Sequence, residues 1–370
     1  ASPEEAFRCY ETFLEENSRS KWADDARTNM IRIGQQLVRQ GNVEYRARIA
    51  ALQESENKEI TLAALSALQN IGDADALETI MSLYNRHESQ DIKGRIIFIL
   101  GNSNLPAAKE ELLDIARTES DPEMQASAIF WFGRSADSQQ EVDMLRKLAL
   151  ESENEQVKET AVHAISQAPP GYSLPALREI AENSGNITMQ KTAIHWYGQN
   201  ARTEAQAEFL TSIAMNNPNV EIREQAVFGL AQMSPQLSEP ALLEIAQSET
   251  NPDIRQTAIF WLGQNARSPE SIQFLRRLAI EDPNPVIRER AVFAIAQAPN
   301  RIGLEALIDL AQEGREDDTR KTAVFWLGQN ADSLSVVELL EQIALNDPNQ
   351  DVQERAIFAL TQVPNQQGIP

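Results

Sequence analysis

The chain has 370 residues, a formal net charge of −22, 42% hydrophobic residues and 24% charged residues. That hydrophobic share is globular, and the acidity opposes nucleic acid phosphates and anionic lipid while favouring neutral or basic partners. Cys9 is the one cysteine, which excludes an intrachain disulfide framework and a thiolate metal cluster. No apolar run approaches the roughly eighteen residues of a membrane span.

The chain starts "ASPEEAF", with no methionine and no signal-like apolar stretch, so a removed leader or a larger parent chain is expected. Residues 1–44 carry "AFRCYETFLEENSRSKWADDARTNMIRIGQQL", with Ala–Tyr–Phe–Leu and Trp–Ala–Asp–Asp–Ala spacings that differ from the rest of the chain. From residue 45 onward the dominant feature is self-similarity. "SAIFWFGRSAD" begins at 127, "TAIHWYGQNAR" at 192, "TAIFWLGQNAR" at 257 and "TAVFWLGQNAD" at 322, each 65 residues after the last. Between them run "AVHAISQAP" at 161, "AVFGLAQMS" at 226, "AVFAIAQAP" at 291 and "AIFALTQVP" at 356, again 65 apart. The register reaches back to "GRIIFILGNSN" (94–104) and "TLAALSALQN" (61–70). The chain therefore reads as ten units of about 32 residues, alternating between an A type, the first series above, and a B type, the second.

Each unit holds two helical patterns. The first, as in "SIQFLRRLAI" or "ALLEIAQ", has apolar residues at i, i+3, i+4 and i+7. A turn such as "DPN" or "NP" then ends one helix and starts the next. The second helix carries the repeated anchor. No strand pattern occurs, so the expected class is all-α.

On a helical wheel, Ile254, Ala258, Leu262 and Trp261 form one stripe, predicted to face the core. Phe260 falls on the other side, with Gln264 one turn later. The Phe260 position holds Phe98, Phe130, His163, His195, Phe228, Phe260, Phe293, Phe325 and Phe358 along the chain, which is seven of its twelve phenylalanines. Four residues on come Asn102, Arg134, Gln167, Gln199, Gln232, Gln264, Gln297, Gln329 and Gln362. Packed helices lie about 8–10 Å apart, so an aromatic row and a parallel amide row are expected. A partner covering an exposed Phe would gain roughly 1.5–3 kcal/mol per ring. An amide donates and accepts, as a peptide backbone does. The alternative is purely structural: rings stacked on one another along the row would satisfy part of that surface.

The "I-R" stretches "NPDIRQTAIFWLG" (251–263) and "DPNPVIRERAVFAIA" (282–296) resemble HEAT repeats, most closely the short variety named after phycobilin lyases. The resemblance covers residues 45 to about 364. It implies a right-handed α-solenoid of ten HEAT-like helix pairs, whose second helices line the concave side. It contains no residue that identifies a chromophore site. Residues 1–44 resemble a tetratricopeptide-like helical hairpin of the kind found in bacterial envelope proteins. The domains expected are thus 1–44 and 45–370. This resemblance also favours a bacterial periplasmic or secreted location over a cytoplasmic one. Armadillo repeats, cousins of this fold, hold extended peptides with an aromatic-then-amide array, here with Phe for Trp and Gln for Asn.

Other features are weaker. His163 and His195 replace Phe in the row, and no third His or Cys in phase makes them a metal site. HEAT-type di-iron hydroxylases need several His–Glu pairs; His87–Glu88 is the one here. Trp196/Asn200, Trp261/Asn265 and Trp326/Asn330 read as packing and helix-end capping. Glu159, Glu224, Glu289 and Glu354 flank the aromatic row, either as a solvated face or as partners for Lys or Arg on a bound segment. Lys93, Lys158, Arg223, Arg255, Arg288 and Arg320 follow the core aliphatic residue and are expected to tie neighbouring repeats together. No catalytic residue, cofactor or metal is expected. The expected function is a non-enzymatic protein-interaction scaffold that holds an extended, neutral to basic polypeptide. Self-association and glycan binding are the alternatives.

Overall fold

The computed structural model describes residues 2–18, 20–52, 58–329 and 334–362. Among them are 22 α-helices and no strand. By Cα proximity the chain divides into two compact units, 1–176 and 177–370.

The first unit begins with α1 (Pro3–Glu16), α2 (Ala23–Arg39), α3 (Tyr45–Ala51) and α4 (Lys58–Ile71). Next come α5 (Ala74–Arg86), α6 (Gln90–Gly101), α7 (Pro106–Thr118) and α8 (Pro122–Gly133). The unit closes with α9 (Gln139–Glu151), α10 (Glu155–Gln167) and the start of α11 (Pro170–Asn183). In the second unit α12 (Ile187–Asn200), α13 (Glu204–Asn216), α14 (Val220–Ala231) and α15 (Pro235–Ser248) follow the rest of α11. Then come α16 (Pro252–Asn265), α17 (Pro269–Glu281), α18 (Pro285–Gln297) and α19 (Leu304–Glu313). The last three are α20 (Asp317–Gln329), α21 (Leu334–Asn346) and α22 (Gln350–Gln362). From α3 onward the odd-numbered helices are the first and the even-numbered the second helices of ten pairs, as the repeat predicts. The hairpin α1–α2 packs directly on the first pair: Phe7 is fully buried with its ring 4.9 Å from that of Tyr45.

The turns explain why helices start where they do. Asn154, Asn186, Asn219, Asn251 and Asn284 sit at the N-caps of α10, α12, α14, α16 and α18, and each side chain accepts a backbone N–H of the first turn. Pro252 and Pro285 follow at the first helical position, where no N–H is needed.

Basic residues do tie first and second helices together, through a carboxylate at the C-terminal end of the next first helix. Lys93 pairs with Glu119 at 2.9 Å, Arg255 with Asp282 at 2.6 Å, Arg320 with Asp347 at 2.9 Å, and Arg223 with Glu249. All four carboxylates are nearly inaccessible and accept backbone N–H groups of the turn that follows, as at Asn284 and Asn349. The other two members differ. Arg288 donates to the carbonyls of Asp282 and Pro283, and Lys158 pairs with Glu155 on its own helix. Residue 314, where the next acid would stand after Arg288, is Gly.

The 65-residue period has a packing cause. From an A-type second helix to the following B-type one, backbones approach so closely that a Cβ on the first would collide. A Cβ on Gly263 would lie 2.5 Å from the Ala294 carbonyl oxygen, and one on Gly198 would lie 2.6 Å from Gly229 Cα. Gly133 faces Ala164 and Gly328 faces Ala359 in the same way. From B type to A type, a Trp fills the space instead. In the earliest such junction a Cβ on Gly101 would meet the Trp131 ring at 2.3 Å.

Two predictions follow from this packing. Gly263→Val should destabilise the protein by about 2–3 kcal/mol through overpacking, whereas Gly185→Ala, with nothing within 4 Å of the new Cβ, should leave the melting temperature unchanged. Equal melting temperatures for both variants would contradict the close approach. The second concerns Glu119. Burial alone would raise its pKa, but hydrogen bonds from Tyr84 (2.6 Å), Lys93 (2.9 Å) and the Asp121 N–H outweigh it and hold the carboxyl at about 2. A native pKa below the unfolded one gives stabilisation that is complete above pH ~4.5 and lost as pH falls towards ~2. Glu119→Gln should therefore cost about 2–3 kcal/mol at neutral pH, with the difference from wild type shrinking below pH ~4.5 in thermal melts. A difference independent of pH would contradict the assignment.

Candidate binding surface on the second helices

The second helices bury one face completely. In α16, Ile254, Ala258, Ile259 and Leu262 are inaccessible, and Phe260 is half-buried. The same holds for His163, His195, Phe228, Phe293 and Phe325, while Phe98 and Phe130 keep 39% exposure and Phe358 keeps 47%. The rings of the predicted row are thus neither core nor free.

In three A-to-B couples the rings stack. Phe130 and His163 lie 6.4 Å apart with planes 6° from parallel. His195 and Phe228 lie 5.9 Å apart at 13°, and Phe260 and Phe293 lie 5.9 Å apart at 9°. The glycine contacts bring those helices close enough for this. His163 belongs to the first unit and His195 to the second, and each histidine stacks on a Phe of its own unit.

Trp261 departs from the wheel reading. It and Trp131, Trp196 and Trp326 are half-buried rather than core residues. The indoles of Trp131, Trp261 and Trp326 lie on the flank of the core stripe that faces the preceding second helix. Trp261 meets Phe228 edge-on at 5.7 Å and Phe260 at 4.9 Å; Trp326 meets Phe293 at 5.1 Å and Phe325 at 5.1 Å. In the first unit Trp131 meets Phe98 at 5.4 Å and Phe130 at 5.5 Å. The second unit therefore holds an unbroken run of ring contacts, from His195 through Phe228, Trp261, Phe260, Phe293 and Trp326 to Phe325. Asn265 does cap its helix, donating to the Trp261 carbonyl at 3.2 Å. Asn330 lies outside the described residues.

Arginines were missing from the sequence expectation. Arg290 sits 5.9 Å from the ring centres of both Phe260 and Phe293. Arg355 sits 5.5 Å from Phe325 and 5.9 Å from Phe358, and Arg95 lies 5.0 Å from Phe98. All three occupy the position three before a B-type Phe, which places them on the same helix face. The spacing is present in the sequence, but Thr160 and Gln225 interrupt the series and hide it.

The amides form the second row. Gln167, Gln199, Gln232, Gln329 and Gln362 are exposed, and Gln264 and Gln297 are half-buried. Gln199 reaches Gln232 at a long 3.5 Å, and Gln167 and Gln362 donate to the hydroxyls of Ser166 and Thr361. Arg134 lies 5.2 Å over Trp131, and Asn102 donates to the Phe98 carbonyl. Most amide donors and acceptors in this row thus face solvent. Of the flanking acids, Glu159, Glu289 and Glu354 are exposed and Glu224 is half-buried. Among the described residues, no three His, Cys, Asp or Glu side chains are grouped to hold a metal ion, and no helix is long and apolar enough to cross a membrane.

A family model described as HEAT repeats matches residues 45–130, 110–198 and 207–296. No curated protein matches the chain. Among solved structures, the chain is similar to human deoxyhypusine hydroxylase in complex with glycerol, at 20% identity, 69% coverage of this chain, 96% of that one and a TM-score of 0.30. It is also similar to the Kap95–Nup1 complex, at 14% identity, 99% and 56% coverage and a TM-score of 0.49. Similarity to Escherichia coli YibA is 16% in identity, with 75% and 98% coverage and a TM-score of 0.37. The chain spans little more than half the length of the Kap95 chain.

Proposed function

The chain belongs to the HEAT-repeat family, and from that premise we propose that it is a non-enzymatic scaffold that captures an extended polypeptide along its second helices. The observation that carries this reading is the row of half-exposed rings running beside outward-facing amides. Isolated exposed aromatics mean little, but a contiguous apolar row on a folded surface marks an interaction site.

Phe260, Phe293 and Phe325 are the apolar anchors, and Gln264, Gln297 and Gln329 the groups that hydrogen-bond the bound backbone. Spacing supports an extended ligand. Helices about 9 Å apart match every third residue of a strand that rises about 3.3 Å per residue. Because the rings are already half-covered by one another, each has roughly 1 kcal/mol left to gain on burial, so affinity must come from several rungs together. The net charge of −22 and the acids Glu159, Glu224, Glu289 and Glu354 favour a neutral to basic segment. The single His–Glu dipeptide, His87–Glu88, supports a binding role over di-iron hydroxylation.

Replacing Phe260 and Phe293 together by Ser tests this reading. Selection of random twelve-residue peptides on the wild-type protein should enrich binders that the double variant fails to retain, with the helical circular dichroism signal preserved. Equal retention by the two proteins would refute the proposal.

A further inference from the structure

One hollow on the second-helix face recurs with a difference that identifies its occupant. Around Phe260 a hollow of about 370 Å³ is walled by Glu224, Asp253, Gln256, Thr257, Phe260 and Arg290. Sixty-five residues on, the same four helix positions, now Glu289, Asp318, Lys321 and Thr322, line a hollow of about 320 Å³. In that second hollow the chain supplies its own ammonium: Lys321 Nζ lies 3.1 Å from Asp318. The position one double repeat before Gln256 is also a lysine, Lys191, which pairs with Glu221 at 2.8 Å. At the middle position the lysine is Gln256, which carries no charge.

The electrostatic consequence is direct. In the later hollow the carboxylates of Glu289 and Asp318 are balanced by Lys321 and by Arg288, which also lines it. Around Phe260 two carboxylates face one cation, Arg290, whose guanidinium is drawn against the Phe260–Phe293 ring pair. The deficit is one positive charge, at a place where an aromatic ring forms part of the wall. A carboxylate pair beside an aromatic ring suits an ammonium or guanidinium, through charge and the ring quadrupole together.

We propose that the Phe260 hollow is a specificity pocket for one Arg or Lys side chain of the bound polypeptide, which takes the place that Lys321 fills in the chain's own next double repeat. This assignment rests on the reading of the second-helix face as a peptide-binding surface and adds the register at which the ligand must be basic. Thr257 and Gln256 supply uncharged hydrogen-bonding groups around the incoming head.

The test is Gln256→Lys, a substitution that neighbouring double repeats already accommodate at Lys191 and Lys321. Random twelve-residue peptides displayed on phage would be selected in parallel on wild-type protein, on Gln256→Lys and on the Phe260→Ser/Phe293→Ser double variant. The expected result is a single Arg or Lys position enriched on wild type, an enrichment about tenfold weaker on Gln256→Lys, and continued selection of apolar residues there. Equal Arg and Lys enrichment on wild type and Gln256→Lys would overturn the pocket while leaving the peptide surface standing. Peptides retained equally by the double variant, or no enriched peptide at all, would overturn both.

Discussion

The close approach of glycine in one second helix to a small residue in the next is the constraint on which the rest of this structure depends. Where Gly263 meets Ala294 and Gly198 meets Gly229, no side chain separates the backbones. Removing that separation draws the outer residues together as well, and Phe260 can then lie flat against Phe293 and His195 against Phe228. The complementary junction needs a filler, and Trp261 and Trp326 supply it, each edge-on to the Phe of the preceding helix. Alternation of closed and filled junctions is the physical content of a 65-residue period in a fold whose basic unit is about half as long.

The same constraint sets the character of the surface. Stacked rings protect their faces and leave their edges to solvent, so the row is less adhesive than fully exposed phenylalanines would be. An acidic protein with a fully exposed aromatic stripe would risk association with its own kind, and mutual stacking lowers that risk. Arg290 and Arg355 cover the rings further and bring positive charge beside the acids of that face. A ligand on such a surface gains little at any one rung. Specificity then falls to the charged and amide groups beside the rings, where one residue exchanged between repeats, Gln256 for lysine, changes the local balance.

Much of this was legible in the sequence. The repeat gave the helix pairs and their turns, because a cap such as Asn251 followed by Pro252 has few other uses. Helical phase alone sets Phe260 and its equivalents off the fully buried stripe, and they are half-buried or partly exposed. The carboxylate ties were half legible: the basic positions were visible, but Glu119, Glu249, Asp282 and Asp347 lie 26 or 27 residues later, a distance that only packing turns into contact. Trp261 departs from its wheel position because a wheel assigns a direction relative to one helix axis, while the space it fills belongs to two helices. The depth of the hollow beside Phe260 was likewise invisible, since Glu224, Asp253 and Arg290 come from three different helices.

Hydroxyl-radical footprinting of individual phenylalanines tests the central claim most directly. Phe7 and Phe132 are almost wholly buried and serve as internal standards. The account predicts that Phe98, Phe130, Phe260 and Phe293 are modified clearly faster than those two, and that the Gly263→Val variant, by separating α16 from α18, raises the rate at Phe260 and Phe293 but not at Phe98. Rates at Phe260 and Phe293 matching Phe7 and Phe132 would place the row inside the fold, closed to any ligand, and would contradict it.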